Sequence, residues 1–426
     1  MSRFARLLFV TALLCAAASM APKAQEPGGR GGGQGRGRGQ VALPDGPGKE
    51  IVSTACVTCH GANLIAVAAG YDRQGWRDLV STMVRLPDEQ MNTVAQYLAT
   101  HFPAKPGRAP KLLPGDVQIS FKEWVVPTLG QRSRDPIQLA NTMIYWTGQF
   151  GSLIGELNPA TGRMREFKLA ADVRPHSIIA DASGQIWYMG NGNGTVGRID
   201  PVTGQTTAVY RMNVPNATDP HSGVFDRKGT LWFTLQQSNM IGRLVPSTGD
   251  LKLVTLATQN ARPYGIRIDS KGAPWVAYNG SNKIATLDPI TMTVREFVTP
   301  VPETRIRRLA LLSDDTVFYA DNGRGSLGRL DPKTGVMKEW VSPSGPASNP
   351  YAIEVIDDIV WYNESNQRPD ALVRFDPRTE TFQSWAIPSG YGIVRNMSVS
   401  PDGNLLIHQS SSNRIGLVTI PKTARK

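Results

Sequence analysis

The chain has 426 residues, with 46 Lys and Arg against 35 Asp and Glu, a formal charge of +11. Six of the basic residues fall in the first forty positions and three in the last six, so the body of the chain is close to neutral and its charge marks no nucleic-acid-binding surface. The length allows two or three domains, and only three cysteines exclude a disulfide-stapled scaffold.

Arg3 and Arg6 precede an apolar run from Leu7 to Met20 and small residues up to Ala24. This reads as a signal peptide over residues 1–24 and places the mature protein in the periplasm or outside the cell. The run is too short to cross a bilayer, and no later stretch is apolar enough for stable membrane insertion. Residues 25–44 contain the Gly/Arg segment Gly28–Gln40 and read as a flexible linker. Beyond the leader, cysteine occurs only in Cys56-Val57-Thr58-Cys59-His60. CxxCH is the attachment pattern of a c-type haem: two thiols at this spacing reach the two vinyl groups, and His60 follows as proximal iron ligand. A zinc site would need more ligands, and a redox disulfide would leave His60 without a role. One covalent haem c is therefore expected.

Residues 45–103 read as a small all-α domain. A helical lead over 47–56 is followed by a helix around Gly75–Val84 and another from Pro87 to Phe102. Asp88 and Glu89 suit the start of that last helix, and Met91, Val94, Tyr97 and Leu98 form its apolar face. Met83, Met91 and His101 are candidates for the second axial ligand. The series Trp76…Met83…Leu86…Tyr97-Leu98 resembles the small class I cytochrome c domains found fused to periplasmic enzymes. That resemblance implies a cytochrome c domain with Met83 on the iron opposite His60, exchanging electrons with a periplasmic redox partner. A short Pro-rich linker, residues 104–114, follows.

The remainder is periodic. Ile144-Tyr145-Trp146, Ile186-Trp187-Tyr188, Leu231-Trp232-Phe233, Pro274-Trp275-Val276, Val317-Phe318-Tyr319, Val360-Trp361-Tyr362 and Leu405-Leu406-Ile407 recur at a period of about 43 residues. Each precedes a strand of the type Val196-Gly197-Arg198-Ile199, Ile241-Gly242-Arg243-Leu244 or Leu327-Gly328-Arg329-Leu330. Seven copies with four short strands apiece predict an all-β seven-bladed propeller over residues 115–421. The seventh copy lacks an outer strand. Lys122–Pro127 matches Lys338–Pro343, so a strand from the front of the chain is expected to complete it and close the ring.

Inner strands start at Arg174-Pro175-His176, Asp219-Pro220-His221, Arg262-Pro263-Tyr264 and Asn349-Pro350-Tyr351, with Arg307 or Arg308 and Arg395 in the less regular copies. Thirteen or fourteen residues on come Gly190, Leu235, Tyr278, Asp321, Glu364 and Gln409. An antiparallel blade puts both sets at one mouth of the channel, a candidate site for a small-molecule substrate, with His408 near it. The aromatic strands are expected to pack blade against blade. Arg198, Arg243 and Arg329 are expected to pair with neighbouring blades or turn acids, and Asp181, Asp226 and Asp269 to form turns.

The repeat resembles the virginiamycin B (streptogramin B) lyase family over essentially the whole propeller. The resemblance implies a Mg²⁺-assisted elimination that opens a cyclic depsipeptide. It is carried by a His of a Pro-His motif and a Glu ending the next strand of the same blade. Here His176 is followed at that spacing by Gly190, His221 by Leu235, and Glu364 is preceded by Tyr351. Three readings result: a haem protein transferring electrons, its propeller binding substrate or redox partner; a lyase in which His176 or His221 acts across the channel from Glu364; or a propeller that docks a partner dehydrogenase.

Overall fold

The computed structural model describes residues 41–57, 61–103, 108–390 and 392–422; the leader, the Gly/Arg segment Gly28–Gln40, Cys59 and His60 lie outside the described residues. Helix α1 (Lys49–Ile51) runs into a π-helical turn, Val52–Cys56. It is followed by α2 (Asn63–Ala68), α3 (Arg73–Ser81) and α4 (Asp88–His101). The start of α3 is set by Asp72, whose side chain accepts from the Gly75 N–H at 2.7 Å. Asp88 and Glu89 occupy the first turn of α4, where the helix dipole favours carboxylates. The α4 face Met91, Val94, Tyr97 and Leu98 is buried against Trp76, Leu79 and Val80, as its spacing predicts. Helix α2 was not foreseen: it is short and has no side-chain cap to announce it.

Among the described residues, 28 strands form seven four-stranded antiparallel sheets. Blade 1 is built from Ser133–Gln138, Ile144–Gly148, Leu153–Leu157 and Met164–Lys168, each pairing with the next. Blades 2 to 6 repeat this order. Blade 7 combines Met397–Val399, Leu405–Gln409 and Arg414–Thr419 with Ser120–Val125 as outer strand, Trp124 opposite Ile415. The ring is closed by the front of the propeller, as the repeat count requires.

The glycine at the centre of the third strand has a packing reason. Trp146 lies opposite Gly155, Tyr188 opposite Gly197, Phe233 opposite Gly242 and Tyr319 opposite Gly328. Each ring covers its glycine so closely that an added Cβ would fall 2.0–2.2 Å from a ring atom. The tryptophans that follow the turns pack across blades, Trp187 among Leu231 and Phe233, Trp232 among Val276 and Tyr278. Their indoles are also held by the turn carboxylates: Trp187 Nε1 donates to Asp181 at 2.8 Å and Trp275 Nε1 to Asp269 at 3.0 Å. Two of the third-strand arginines make contacts within their own blades. Arg243 pairs with Asp250 at 2.6 Å on the adjacent strand, and Arg198 donates to Thr207 while stacking on Trp187.

Gly242→Ala therefore forces the fully buried Phe233 ring to move and should cost about 1–3 kcal/mol as overpacking. Thermal unfolding monitored by circular dichroism reads this as a lowered midpoint. An unchanged midpoint would show that the ring is not confined.

Candidate functional site at the channel mouth

The inner strands are not regular where they begin. In blades 2 to 6 the register slips between the first residue and the fourth, so two residues face one on the partner strand. The bulged pairs are His176-Ser177, His221-Ser222, Tyr264-Gly265, Arg307-Arg308 and Tyr351-Ala352. A bulge re-aims side chains out of the sheet, and these turn into the channel. Blade 1 slips at the same end, after Arg134. Arg134 and Asp135 were missed by the sequence reading. Their signal was the triplet Arg134-Asp135-Pro136, which has the same residue types as the other strand starts in a shifted order.

The result is a ring of side chains touching neighbour to neighbour. The His176 and His221 rings lie 3.7 Å apart at a tilt of 35°, and His221 lies 4.1 Å from the Tyr264 ring. Arg307 sits over both Tyr264 and Tyr351, and Arg395 over Tyr351. Arg308 donates through Nε to the Arg395 carbonyl at 2.6 Å and stands 3.7 Å from Asp135. Both residues proposed for that position, Arg307 and Arg308, thus belong to the ring. Arg134, Asp135 and Arg308 are buried and keep polar atoms without partners. Several guanidiniums face one carboxylate, so the mouth is strongly cationic.

This field decides protonation. Burial first, then Arg134, holds His176, His221 and His408 well below the ordinary imidazole value, so all three are neutral. His176 Nδ1 is tied to the His221 carbonyl at 3.0 Å. His408 faces two backbone donors, Asp135 N at 2.9 Å and Arg395 N at 3.2 Å, of which a neutral imidazole can accept one. Burial raises the Tyr351 phenol, but Arg307, Arg395 and Arg134 outweigh it and bring it down to about 7. Tyr264, raised by burial and by Tyr351, shares a hydrogen bond with the Tyr351 hydroxyl.

Glu364 does end its strand at this face, opposite Pro350. Its carboxylate is nevertheless spent on the loop between blades 5 and 6: it accepts from Ser342 Oγ at 2.6 Å, from Ser344 N at 2.8 Å and from Ser344 Oγ. Among the described residues it bonds to neither His176 nor His221. No group of three or more His, Cys, Asp or Glu among the described residues stands close enough to hold a metal ion, so the expected Mg²⁺ finds no such ligand set there.

The helical unit covers part of this mouth. Gly130, in the left-handed region at φ 63°, donates to the Thr82 carbonyl at 3.0 Å, and a Cβ there would stand 3.1 Å from the Met83 carbonyl. Arg108 donates to the Ala69 carbonyl at 2.7 Å, capping the end of α2. Between the helices and blades 1, 6 and 7 lies a cavity of about 140 Å³ that opens to solvent. Cys56, Ile65, Trp76, Leu79 and Met83 line one side, Arg132, Phe150, Arg368 and Arg395 the other. Met83 is in this wall, whereas Met91 packs in the helical core and the His101 ring lies 4.5 Å from Tyr97, tilted against it.

Wild-type protein should gain tyrosinate absorbance as the pH rises through about 7, and Tyr351→Phe should lack that rise. Because folding lowers this phenol, its contribution to stability is complete above the unfolded phenol value near ~10. It is lost as the pH falls through the folded value of about 7. A wild-type spectrum with no tyrosinate below about pH 9 would overturn the assignment.

The chain matches the virginiamycin B lyase family over residues 120–353 and 251–425. No curated protein matches it in sequence. Among solved structures, virginiamycin B lyase from Staphylococcus aureus is 19% identical with a TM-score of 0.65, covering 71% of this chain and 100% of that one. A streptogramin B lyase is 20% identical at TM-score 0.64, over 71% and 98%. Hydrazine synthase from Kuenenia stuttgartiensis shares the fold at 13% identity and TM-score 0.58, over 70% and 97%. With the match spanning the propeller and well over half of its length, the chain belongs to the virginiamycin B lyase family.

Proposed function

We propose that the protein is an exported c-type haem protein that transfers electrons, with its propeller binding the substrate or redox partner at the mouth beside the haem. The observation that carries this reading is the cavity against Cys56. Its helical side is apolar, as a porphyrin requires, and it holds a methionine, Met83. It also contains a buried donor without a partner, Trp76 Nε1, which suits a ligand with a polar edge. Cys56 and Cys59 would hold the haem through thioether links, with His60 and Met83 on the iron; the parts of Cys59 and His60 rest on the sequence pattern. When bound, the haem would supply one-electron exchange between its ferric and ferrous states. The apolar wall of Ile65, Leu79 and Val80 would exclude water from it, and the leader at Arg3, Arg6 and Leu7–Met20 supports export to the compartment where such haems are attached.

Family membership favours a second reading, a lyase using His176 or His221 as base with Glu364 and Mg²⁺. Both histidines are neutral, as a base must be. Against it, the Glu364 carboxylate is bound into a loop and His176 Nδ1 into a backbone contact.

Protein made in a host that matures c-type cytochromes should carry the added mass of one haem and a low-spin, methionine-ligated spectrum. Met83→Ala should keep the mass and lose that spectrum, and Cys56→Ala should lower the haem-bearing fraction. A bare-chain mass for the wild type overturns the haem reading, and an unchanged Met83→Ala spectrum overturns the ligand. Incubated with virginiamycin B and Mg²⁺, the protein should leave the ring intact by mass spectrometry. Appearance of the linear product, abolished in His176→Ala or His221→Ala, would establish the lyase instead.

A further inference from the structure

The cavity beside Cys56 has walls of opposite character. The helices contribute apolar side chains, whereas the propeller contributes Arg132, Arg368 and Arg395. Arg368 is already engaged, donating to the Gln367 carbonyl at 2.6 Å and to the Val67 carbonyl at 3.4 Å, with Asp370 at 3.4 Å. Among the described residues, neither of the other two is held by a carboxylate within ion-pair distance. Arg132 lies 4.9 Å over the Phe150 ring, and the charges that bear on it are the like charges of Arg395 and Arg134 and the phenols of Tyr351 and Tyr264. Arg395 donates to Ser410 Oγ at 2.9 Å and meets the Tyr351 oxygen at 3.4 Å. Among the described residues, neither Arg132 nor Arg395 pairs with a carboxylate. Two guanidiniums at the edge of an apolar cavity carry a desolvation cost that an incoming anion offsets.

We propose that the propeller forms the anion-binding side of the haem pocket, with Arg132 and Arg395 receiving the two propionate carboxylates of the porphyrin. This rests on the haem reading above and extends it: the channel mouth at blades 1 and 7 is part of the cofactor site. The ligand it fits is amphiphilic, a flat apolar body with two carboxylates on one edge, and the two walls match those two parts. Guanidinium groups suit the carboxylates because they offer paired donors in a fixed plane. A cation beside the macrocycle also favours the reduced state, which carries one positive charge fewer at the iron, so the two arginines raise the reduction potential.

The test uses the full-length haem-bearing protein and a spectroelectrochemical titration. Arg132→Gln and Arg395→Gln should each lower the midpoint, raising the oxidised-to-reduced ratio at the wild-type midpoint about tenfold, which is about 59 mV for a one-electron couple. Arg132→Lys should retain most of the wild-type potential, which also guards against misfolding of the Gln variants. Arg227→Gln, an equal loss of charge at an exposed turn, should leave it unchanged. Unmoved potentials in haem-bearing Arg132→Gln and Arg395→Gln overturn the proposal, as does an equal shift in Arg227→Gln. If the two Gln variants keep the potential but lose binding of inorganic phosphate, the arginines serve a soluble anion and the propionate assignment falls. A wild-type protein without covalent haem sinks the haem reading itself, a result separate from any of these.

Discussion

Pairing of Ser120–Val125 with Arg414–Thr419 is the contact on which the rest of the structure depends. Seven sheets in a ring leave one raw edge unless the last blade borrows a strand, and an open edge exposes a row of unpaired backbone groups. The borrowed strand is secured on both sides. Trp124 packs near Ile144, Trp146 and Ile415, and the Glu123 carboxylate accepts from the Ser389 N–H at 3.0 Å. Because this strand is outermost in blade 7, the chain leading into it comes in across the neighbouring blade. The Arg108 carbonyl accepts from Arg368 N at 2.7 Å, the Leu113 carbonyl from Ser384 N at 3.0 Å, and Val117 exchanges two hydrogen bonds with Gln383. Residues 108–117 are thereby laid along blade 6.

The same mouth is shaped by bulges. Blades 1 to 6 each spend two inner-strand residues against one partner, and in blades 2 to 6 the extra residue directs His176, His221, Tyr264, Arg307 and Tyr351 inward. Packed together away from water, the arginines and aromatic rings settle one another's charge. The histidines stay neutral, and the guanidiniums bring the Tyr351 phenol down to about 7. Cation–π contacts at 5.0–5.6 Å from Arg307, Arg308 and Arg395 to Tyr264 and Tyr351 add to this balance. A general base needs a free lone pair aimed at substrate, and here His176 Nδ1, His408 and the Glu364 carboxylate are committed to neighbours. A propeller of this family thus keeps the scaffold of the lyases while its polar groups hold the mouth together.

The helices and the propeller each supply what the other lacks. A helical unit of about sixty residues has little core of its own and leaves an apolar cavity beside Cys56. The propeller face has cations and polar donors but offers no comparable apolar wall. Docked, they make an enclosure with a greasy side and a charged side, joined at the Gly130–Thr82 hydrogen bond one residue from Met83. The residue best placed to tune a group in that enclosure, Arg395, is also in contact with the Tyr351–Tyr264 pair of the channel ring. Arg132, which also lines the cavity, feels the same two phenols, so the channel and the cavity are electrically coupled.

Much of this was legible in the chain itself, because repeats and local turns are short-range properties. The period set the blade number. The Lys122–Pro127 match foretold the closing strand, Asp181 and Asp269 stood where turns needed them, and Pro175 and Pro220 marked the strand starts. The Cys56-to-His60 pattern and the Trp76–Met83 spacing likewise depend on neighbours along the chain. What the sequence could not settle involves residues far apart in it. Arg134 and Asp135 meet Arg308 from another blade, Glu364 turns to Ser342 and Ser344 rather than to a histidine, and Arg132 and Arg395 share a cavity with Met83. Those placements follow from ring closure and bulge geometry, which bring blades 1, 6 and 7 under the helices, and no local pattern encodes which side chains then compete for the same partner.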